Sequence, residues 1–305
     1  MKVFVPPIKC QGIKTKLVPW IKTIIADSNA LYIEPFMGSG VVGFNIRPTN
    51  AIFNDINPHI INFYNSIKSN EITPHIAKIF LEKEGRILKE NKDDHYYKIR
   101  ERFNKDFEPL DFLFLSRSCF NGMIRFNRKG QFNVPFCHKT ERFSKSYITK
   151  IINQIDYVSQ AINYYNWTFV NLPYDEVIAN ASHSDFIYCD PPYLGRHVDY
   201  FNSWDENDEN RLFDLLQNTD SQFILSTWHS NKYRENTYFK TLWSNFNYKF
   251  KEHFYHVGAK ETNRNSMKEA LVYNFESYIY ENKETVYEKE ASKQLAFFEK
   301  RENYE

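Results

Sequence analysis

The sequence is poor in cysteine, with four in 305 residues, at positions 10, 119, 137 and 189. They are far apart and form no CxxC pair. This excludes a disulfide framework and a thiolate metal site, and it suits a reducing compartment. No metal is expected. Long apolar runs are missing too. None reaches the roughly 18 residues of a membrane span, and the opening MKVFVPPIK has prolines where a secretory leader needs an apolar stretch. The chain reads as soluble and cytoplasmic. An excess of one charge is the third absence: 39 Lys and Arg face 38 Asp and Glu, for a net charge of +1. No overall field points to a polyanion. Internal repeats and low-complexity linkers are also absent.

What is present is unevenly placed. Between residues 117 and 150 stand eight Lys or Arg (117, 125, 128, 129, 139, 142, 145 and 150) and a single acid, Glu141. Such a cluster in a near-neutral chain suits an anionic partner. Apolar periodicity predicts a helix over 14–27, a strand over 30–34, a glycine-rich turn at 38–43 opening a helix, and a strand over 51–54. Helical patterns fill about 58–118. The chain then turns polar and basic, and Arg128-Lys129-Gly130-Gln131 reads as a hairpin tip. After a helix over about 146–163, α/β alternation resumes, with strands at 167–171, 186–189, 223–227, 250–257 and 270–280 and a helix near 207–217. Residues 281–305 are charged and helix-prone. The pattern is an α/β sheet, residues 1–56 plus 151–280, interrupted by a mostly helical domain at 57–150 that carries a β-hairpin.

Three constellations carry chemistry. In LYIEPFMGSGVVGFN a strand ends at Glu34, and Pro35-Phe36 precede Gly38 and Gly40. The string satisfies GxGxxG, and Asp55 ends the next strand, as in dinucleotide-binding folds. An acid and an aromatic before the glycines suit a positively charged ligand better than a pyrophosphate. S-adenosylmethionine, with its ammonium, sulfonium and ribose hydroxyls, fits; a nicotinamide oxidoreductase is a weaker alternative.

In IYCDPPYLG a buried strand ends at Asp190, followed by Pro191, Pro192 and Tyr193. Strand carboxyl ends line the crevice of a doubly wound sheet. Proline fixes φ and donates no hydrogen bond. The segment therefore offers rigid acceptors, the Asp190 carboxylate and the Pro191 carbonyl, beside a flat ring. That suits an amino group on a planar heterocycle. In FLSRSCFNGMIRFNRKGQFNVPFCHK, Phe114, Phe120, Phe126, Phe132 and Phe136 interleave with Arg117, Arg125, Arg128 and Lys129. Arginine can take phosphates or guanine edges, and aromatics can wedge into a base stack.

Together these motifs resemble the Dam-like (D12, class alpha) family of adenine-N6 DNA methyltransferases, in the family's order and over roughly residues 6–280. Lys9-Cys-Gln-Gly-Ile-Lys14 is similar to its cofactor segment, Glu34-Pro-Phe-Met-Gly-Ser-Gly40 to its glycine loop, and Asp55-Ile-Asn57 to its D-x-N segment. Residues 120–127 with 132–136 resemble its target-recognition hairpin, Asp190–Tyr193 its catalytic tetrapeptide, and Asn263-Arg264 with Lys268-Glu269 a late segment. The resemblance implies a Rossmann-like S-adenosylmethionine-binding sheet with an inserted DNA-binding domain.

It further implies catalytic roles for Asp190, Pro191, Pro192 and Tyr193. Cofactor contacts fall to Lys14, Glu34, Pro35, Phe36, Gly38, Gly40, Asp55, Tyr174 and Asp190, with Lys14 at the cofactor's carboxylate. DNA contacts fall to Lys9, Phe120, Asn121, Arg125, Arg128, Lys129, Asn133 and Pro135. The partner is double-stranded DNA, read by a monomer in the nucleoid, with a restriction endonuclease acting on the same site as a possible companion. Two departures stand out. Cys10 and Ile13 replace a tryptophan and a glycine, and Pro173 stands where the family usually carries an acid before the aromatic. Cytosine-N4 or RNA amino methylation is the alternative chemistry, and a DNA-binding module without activity the alternative class.

Overall fold

The computed structural model describes residues 2–25, 30–194, 204–254 and 266–276. The strands are β1 (Tyr32–Glu34), β2 (Asn50–Asn54), β3 (Asn166–Val170), β4 (Phe186–Cys189), β5 (Gln222–Asn231), β6 (Asn247–Phe254) and β7 (Ser266–Tyr273). They form one sheet in the order β3-β2-β1-β4-β5-β7-β6. The first five strands in that order are parallel, and β7 runs antiparallel to both its neighbours. This is the Rossmann-like methyltransferase sheet expected from the sequence. The order reverses between β1 and β4, so a crevice opens where their carboxyl ends diverge.

The helices are α1 (Val18–Lys22), α2 (Gly43–Ile46), α3 (Pro58–Lys68), α4 (Pro74–Asp106), α5 (Pro109–Ser118), α6 (Lys145–Tyr164), α7 (Tyr174–Ala179), α8 (Glu206–Gln217) and α9 (Thr237–Thr241). Their starts follow local chemistry. Asn57 caps α3 through His59 N–H at 3.0 Å, and Thr73 caps α4 through Ile76 N–H at 3.2 Å. Each helix has proline in its first turn, where an N–H would be unsatisfied anyway. The helix predicted over 14–27 shrinks to five residues. A longer one would hold Pro19 in its interior, where the ring clashes with the preceding turn; residues 26 and 27 lie outside the described residues. Helices α7 and α9 fall in stretches with no predicted element. The predicted tail at 281–305 and the pair Asn263 and Arg264 lie outside the described residues.

One face of the sheet and the helical insert share a continuous core. It runs from Tyr32, Phe53 and Trp167 through Phe63 and Phe112 to Leu81, Phe103 and Phe132. The other face buries Ile33, Ile187, Leu225 and Val272 against Leu212, Leu216 and Trp243. Strand β4 is buried at all four residues, as a central parallel strand must be. No helix among the described residues is long and apolar enough to cross a membrane, and none of their His, Cys, Asp or Glu residues cluster as a metal site.

Candidate active site

Where β1, β2 and β4 end, the crevice holds a cavity of about 440 Å³. Its wall includes Lys14, Glu34, Pro35, Phe36, Gly38, Asp55, Tyr174, Asp190, Pro191 and Pro192. Residues predicted from separate stretches are thus brought together. Asn54 ties their loops: its side chain donates to the carbonyls of Pro35 and Leu172 and accepts from Leu172 N–H.

Three carboxyls meet here. Asp55 accepts from the N–H groups of Gly38 and Asn57, both at 2.8 Å. Glu34 accepts from Tyr32 Oη at 3.1 Å and Gly43 N–H at 3.0 Å on the same oxygen. Asp190 faces Lys14, with Nζ 2.8 Å from Oδ1. Burial raises the pKa of all three. Asp55 and Asp190 each reach about 6, and Glu34 stands well above its usual range, pushed further by the charges of Asp190 and Asp55. For Asp190, Lys14 works against the burial. A cavity that crowds acids in this way gains from a cationic guest.

The glycines divide their work. Gly38 has φ +49° and lines the cavity, and a Cβ there would meet no protein atom within 4 Å. Gly40, with φ +75°, does not line the cavity; a Cβ would lie 2.7 Å from the Phe44 ring. Both its positive φ and the Phe44 ring call for glycine there.

Tyr193 does not line the cavity either. It is buried with Trp228 and Met267, and its hydroxyl donates to Glu269 at 2.6 Å. The Lys14 ammonium stands over its ring, 4.8 Å from the centroid. Lys14 therefore sits against the Asp190–Tyr193 segment. It also donates to its neighbour's carbonyl at Gly12.

Apart from Lys9, the predicted DNA residues lie on or beside a hairpin. Phe126 pairs with Phe132 and Cys119 with Phe136. Asn127 N–H reaches Gln131 O at 2.8 Å, and Gly130 turns the tip with φ +71°. Alternation of period two sorts the side chains. Phe132, Val134 and Phe136 point into the core, while Asn133 and Pro135 are solvent-facing. The interleaved phenylalanines are thus mostly structural: Phe114 is also buried and Phe126 half-buried, while Phe120, 49% exposed, is the most open of them. Arg117 is likewise withdrawn from the basic cluster. It is buried, its guanidinium donates to Gln154 Oε1 at 2.6 Å and to Pro6 O, and burial lowers its pKa to about 10. Arg125 donates to Asn133 Oδ1 at 2.9 Å, and Arg128 and Lys129 are exposed at the tip. Lys9 comes from the N-terminal segment to the hairpin base, its stem against Gly122. Burial, then the charges of Arg142 and Arg117, lower its pKa to about 8.

The model of the family described as D12 class N6 adenine-specific DNA methyltransferase matches residues 11–262, most of the chain and nearly all of this site. The chain belongs to that family. A DNA adenine methylase of Vibrio cholerae is 32% identical over 234 residues, covering 73% of this chain and 80% of that one. The type II methyltransferase M1.LlaDCHI of Lactococcus lactis subsp. cremoris is 27% identical, covering 88% and 95%. The type II methyltransferase M.FokI of Planomicrobium okeanokoites is 27% identical over 89% of this chain, which spans 43% of that longer protein. D12 methyltransferases act on DNA adenine, and a methyltransferase of this fold implies S-adenosylmethionine. Several residues at this D12 site carry no signal in the sequence. Asn54 looks like an ordinary strand residue, and Trp204, Asp208 and Arg211 reach the cavity from α8 and the residues before it.

Proposed function

We propose that the chain transfers a methyl group from S-adenosylmethionine to the N6 amino group of an adenine flipped out of double-stranded DNA. The observation that carries this reading is Asp190: a half-buried carboxylate at the end of β4, stiffened by two prolines, facing a cavity and already paired with an ammonium group. The site suits the cofactor. Glu34 and Asp55 offer negative charge and acceptors for its cationic and hydroxyl groups, Gly38 leaves space, and Phe36 and Tyr174 present rings 5.1 Å apart for its base. When bound, it supplies a methyl group made electrophilic by a positively charged sulfur.

The adenine amino group is a poor nucleophile because its lone pair is delocalised into the ring. Asp190 and the Pro191 carbonyl accept hydrogen bonds from its two N–H groups, which pyramidalises the nitrogen and aims the lone pair into the cavity. A hydrogen bond to a charged acceptor is worth about 1.5–3 kcal/mol, and holding the geometry contributes further. Asp190 then takes the proton that the methylated nitrogen must lose. Tyr193, locked by Glu269, offers its ring to the base. Lys14 neutralises Asp190 until the amino group takes its place.

Extracting the base costs a few kcal/mol, which contacts along the hairpin repay. Arg125, Asn133, Asn121 and Lys9 read bases; Arg128 and Lys129 take phosphates; Phe120 fills the gap in the stack beside Pro135. A monomer suffices for one strand at a time. The reading is tested by labelled methyl transfer into DNA with wild type and Asp190→Ala. The variant should lose at least about 10²-fold, and near-wild-type transfer would refute the role of Asp190. Methylation of a shared site would also protect DNA from an endonuclease without a stable complex.

A further inference from the structure

Three aromatic rings meet at one end of the cavity. Phe36 follows β1, and Tyr174 opens α7 after β3. The third, Trp204, comes from the segment entering α8, with its ring centroid 5.6 Å from Phe36 and 5.4 Å from Tyr174. It is half-buried and lines the cavity. We propose that Trp204 is a wall of the pocket for the cofactor's planar base, and that Glu209 is the positioning residue that fixes its indole. This rests on the S-adenosylmethionine reading above.

The support for Trp204 can be followed inward, bond by bond. Its Nε1 donates to Glu209 Oε2 at 2.9 Å. The other carboxylate oxygen, Oε1, accepts from Trp243 Nε1 at 2.8 Å. Glu209 is 4% exposed and Trp243 fully buried in the core beneath β5. A buried acid is costly unless its oxygens are bonded, and here each oxygen holds one indole. Charge-assisted bonds of this kind are strong and directional. Burial raises the Glu209 pKa and the two indoles oppose that rise. The chain is also turned at this point by a capping box, in which Asp205 and Asp208 exchange bonds at the start of α8. The indole therefore reaches the cavity pre-oriented, beside Phe36 and Tyr174. The arrangement runs from core tryptophan to acid to cavity tryptophan, and only the last ring is available to a ligand.

The test is calorimetric binding of S-adenosylmethionine and S-adenosylhomocysteine to the full chain, with thermal unfolding of every variant. Trp204→Ala should raise Kd about 10-fold or more, as loss of a base-stacking ring does, while leaving DNA affinity unchanged. Trp204→Phe should keep most of the affinity. Glu209→Gln, whose amide can accept at one atom only, should raise Kd in the wild-type background and add nothing in the Trp204→Ala background. Trp243→Phe spares the Trp204 bond and should lower the unfolding midpoint without raising Kd. Wild-type Kd in a folded Trp204→Ala variant would overturn the inference, as would additive effects of the Trp204→Ala and Glu209→Gln changes. If Glu209→Gln fails to fold, the two Trp204 variants decide. Failure of the wild type to bind S-adenosylmethionine would bring down the proposed function itself, and this inference with it.

Discussion

Lys14 Nζ lies 2.8 Å from Asp190 Oδ1 and 4.8 Å above the centre of the Tyr193 ring. Residues 176 positions apart in the chain thus share one charge-neutral site. The ammonium is buried, 4% exposed, and the acid 18% exposed. In the proposed mechanism two features depend on this pair: the carboxylate must be ionised to accept hydrogen bonds from the amino group, and it must be released when the base arrives.

The first consequence concerns pH. Burial lifts Asp190 to about 6, and Lys14 opposes that rise. The active form is the carboxylate, so kcat/KM should fall as pH drops through about 6. Removing the ammonium in Lys14→Met takes away the opposing charge, so the acid limb of the pH–rate profile should move to higher pH. An unmoved limb would separate Lys14 from Asp190 in function.

Gly43 makes a prediction about stability. A Cβ there would lie 2.2 Å from the Phe53 ring and 2.6 Å from Glu34 Oε2. Phe53 is fully buried and Glu34 nearly so, so neither can give way freely. Gly43→Ala should cost about 1–3 kcal/mol, the usual range for overpacking, read as a lower midpoint in denaturant unfolding. Glu34 would be displaced, so weaker cofactor binding should accompany the loss.

The hairpin makes a prediction about specificity. Arg125 is held by Asn133 through Nε at 2.9 Å, which presents a fixed guanidinium. Arg125→Ala should relax preference at one base pair, at about 1–3 kcal/mol. Lys129, exposed at the tip, should behave as a phosphate contact. Lys129→Ala should weaken binding to all sequences and lower the salt slope by about 1. Binding titrations on a panel of single-substitution duplexes, at several salt concentrations, distinguish the two.

Much of this was legible before folding. Strand β4 is an apolar run stopped by Asp190 and two prolines, and its limits agree with the structure residue for residue. The hairpin tip announced itself through Gly130 and its basic neighbours. Less legible was anything set by contacts distant in sequence. Arg117 has the same charge as Arg125, and only the packing of Gln154 and Pro6 around it shows that it is structural. The phenylalanines of the hairpin obey a period of two that a charge-based reading passes over. Lys14 lines the cavity as expected, but its ion pair with Asp190 joins residues 176 positions apart and has no local signal. Trp204 and Glu209 carry no motif at all; their meaning depends on Trp243, 34 positions beyond Glu209.

The most direct test of the central claim is the identity of the methylated nucleoside. DNA incubated with the protein and S-adenosylmethionine is digested to nucleosides and analysed by mass spectrometry against standards. The account predicts N6-methyldeoxyadenosine, in wild-type reactions and at least about 10²-fold less with Asp190→Ala. N4-methyldeoxycytidine as the product, or methylation confined to RNA, would contradict it.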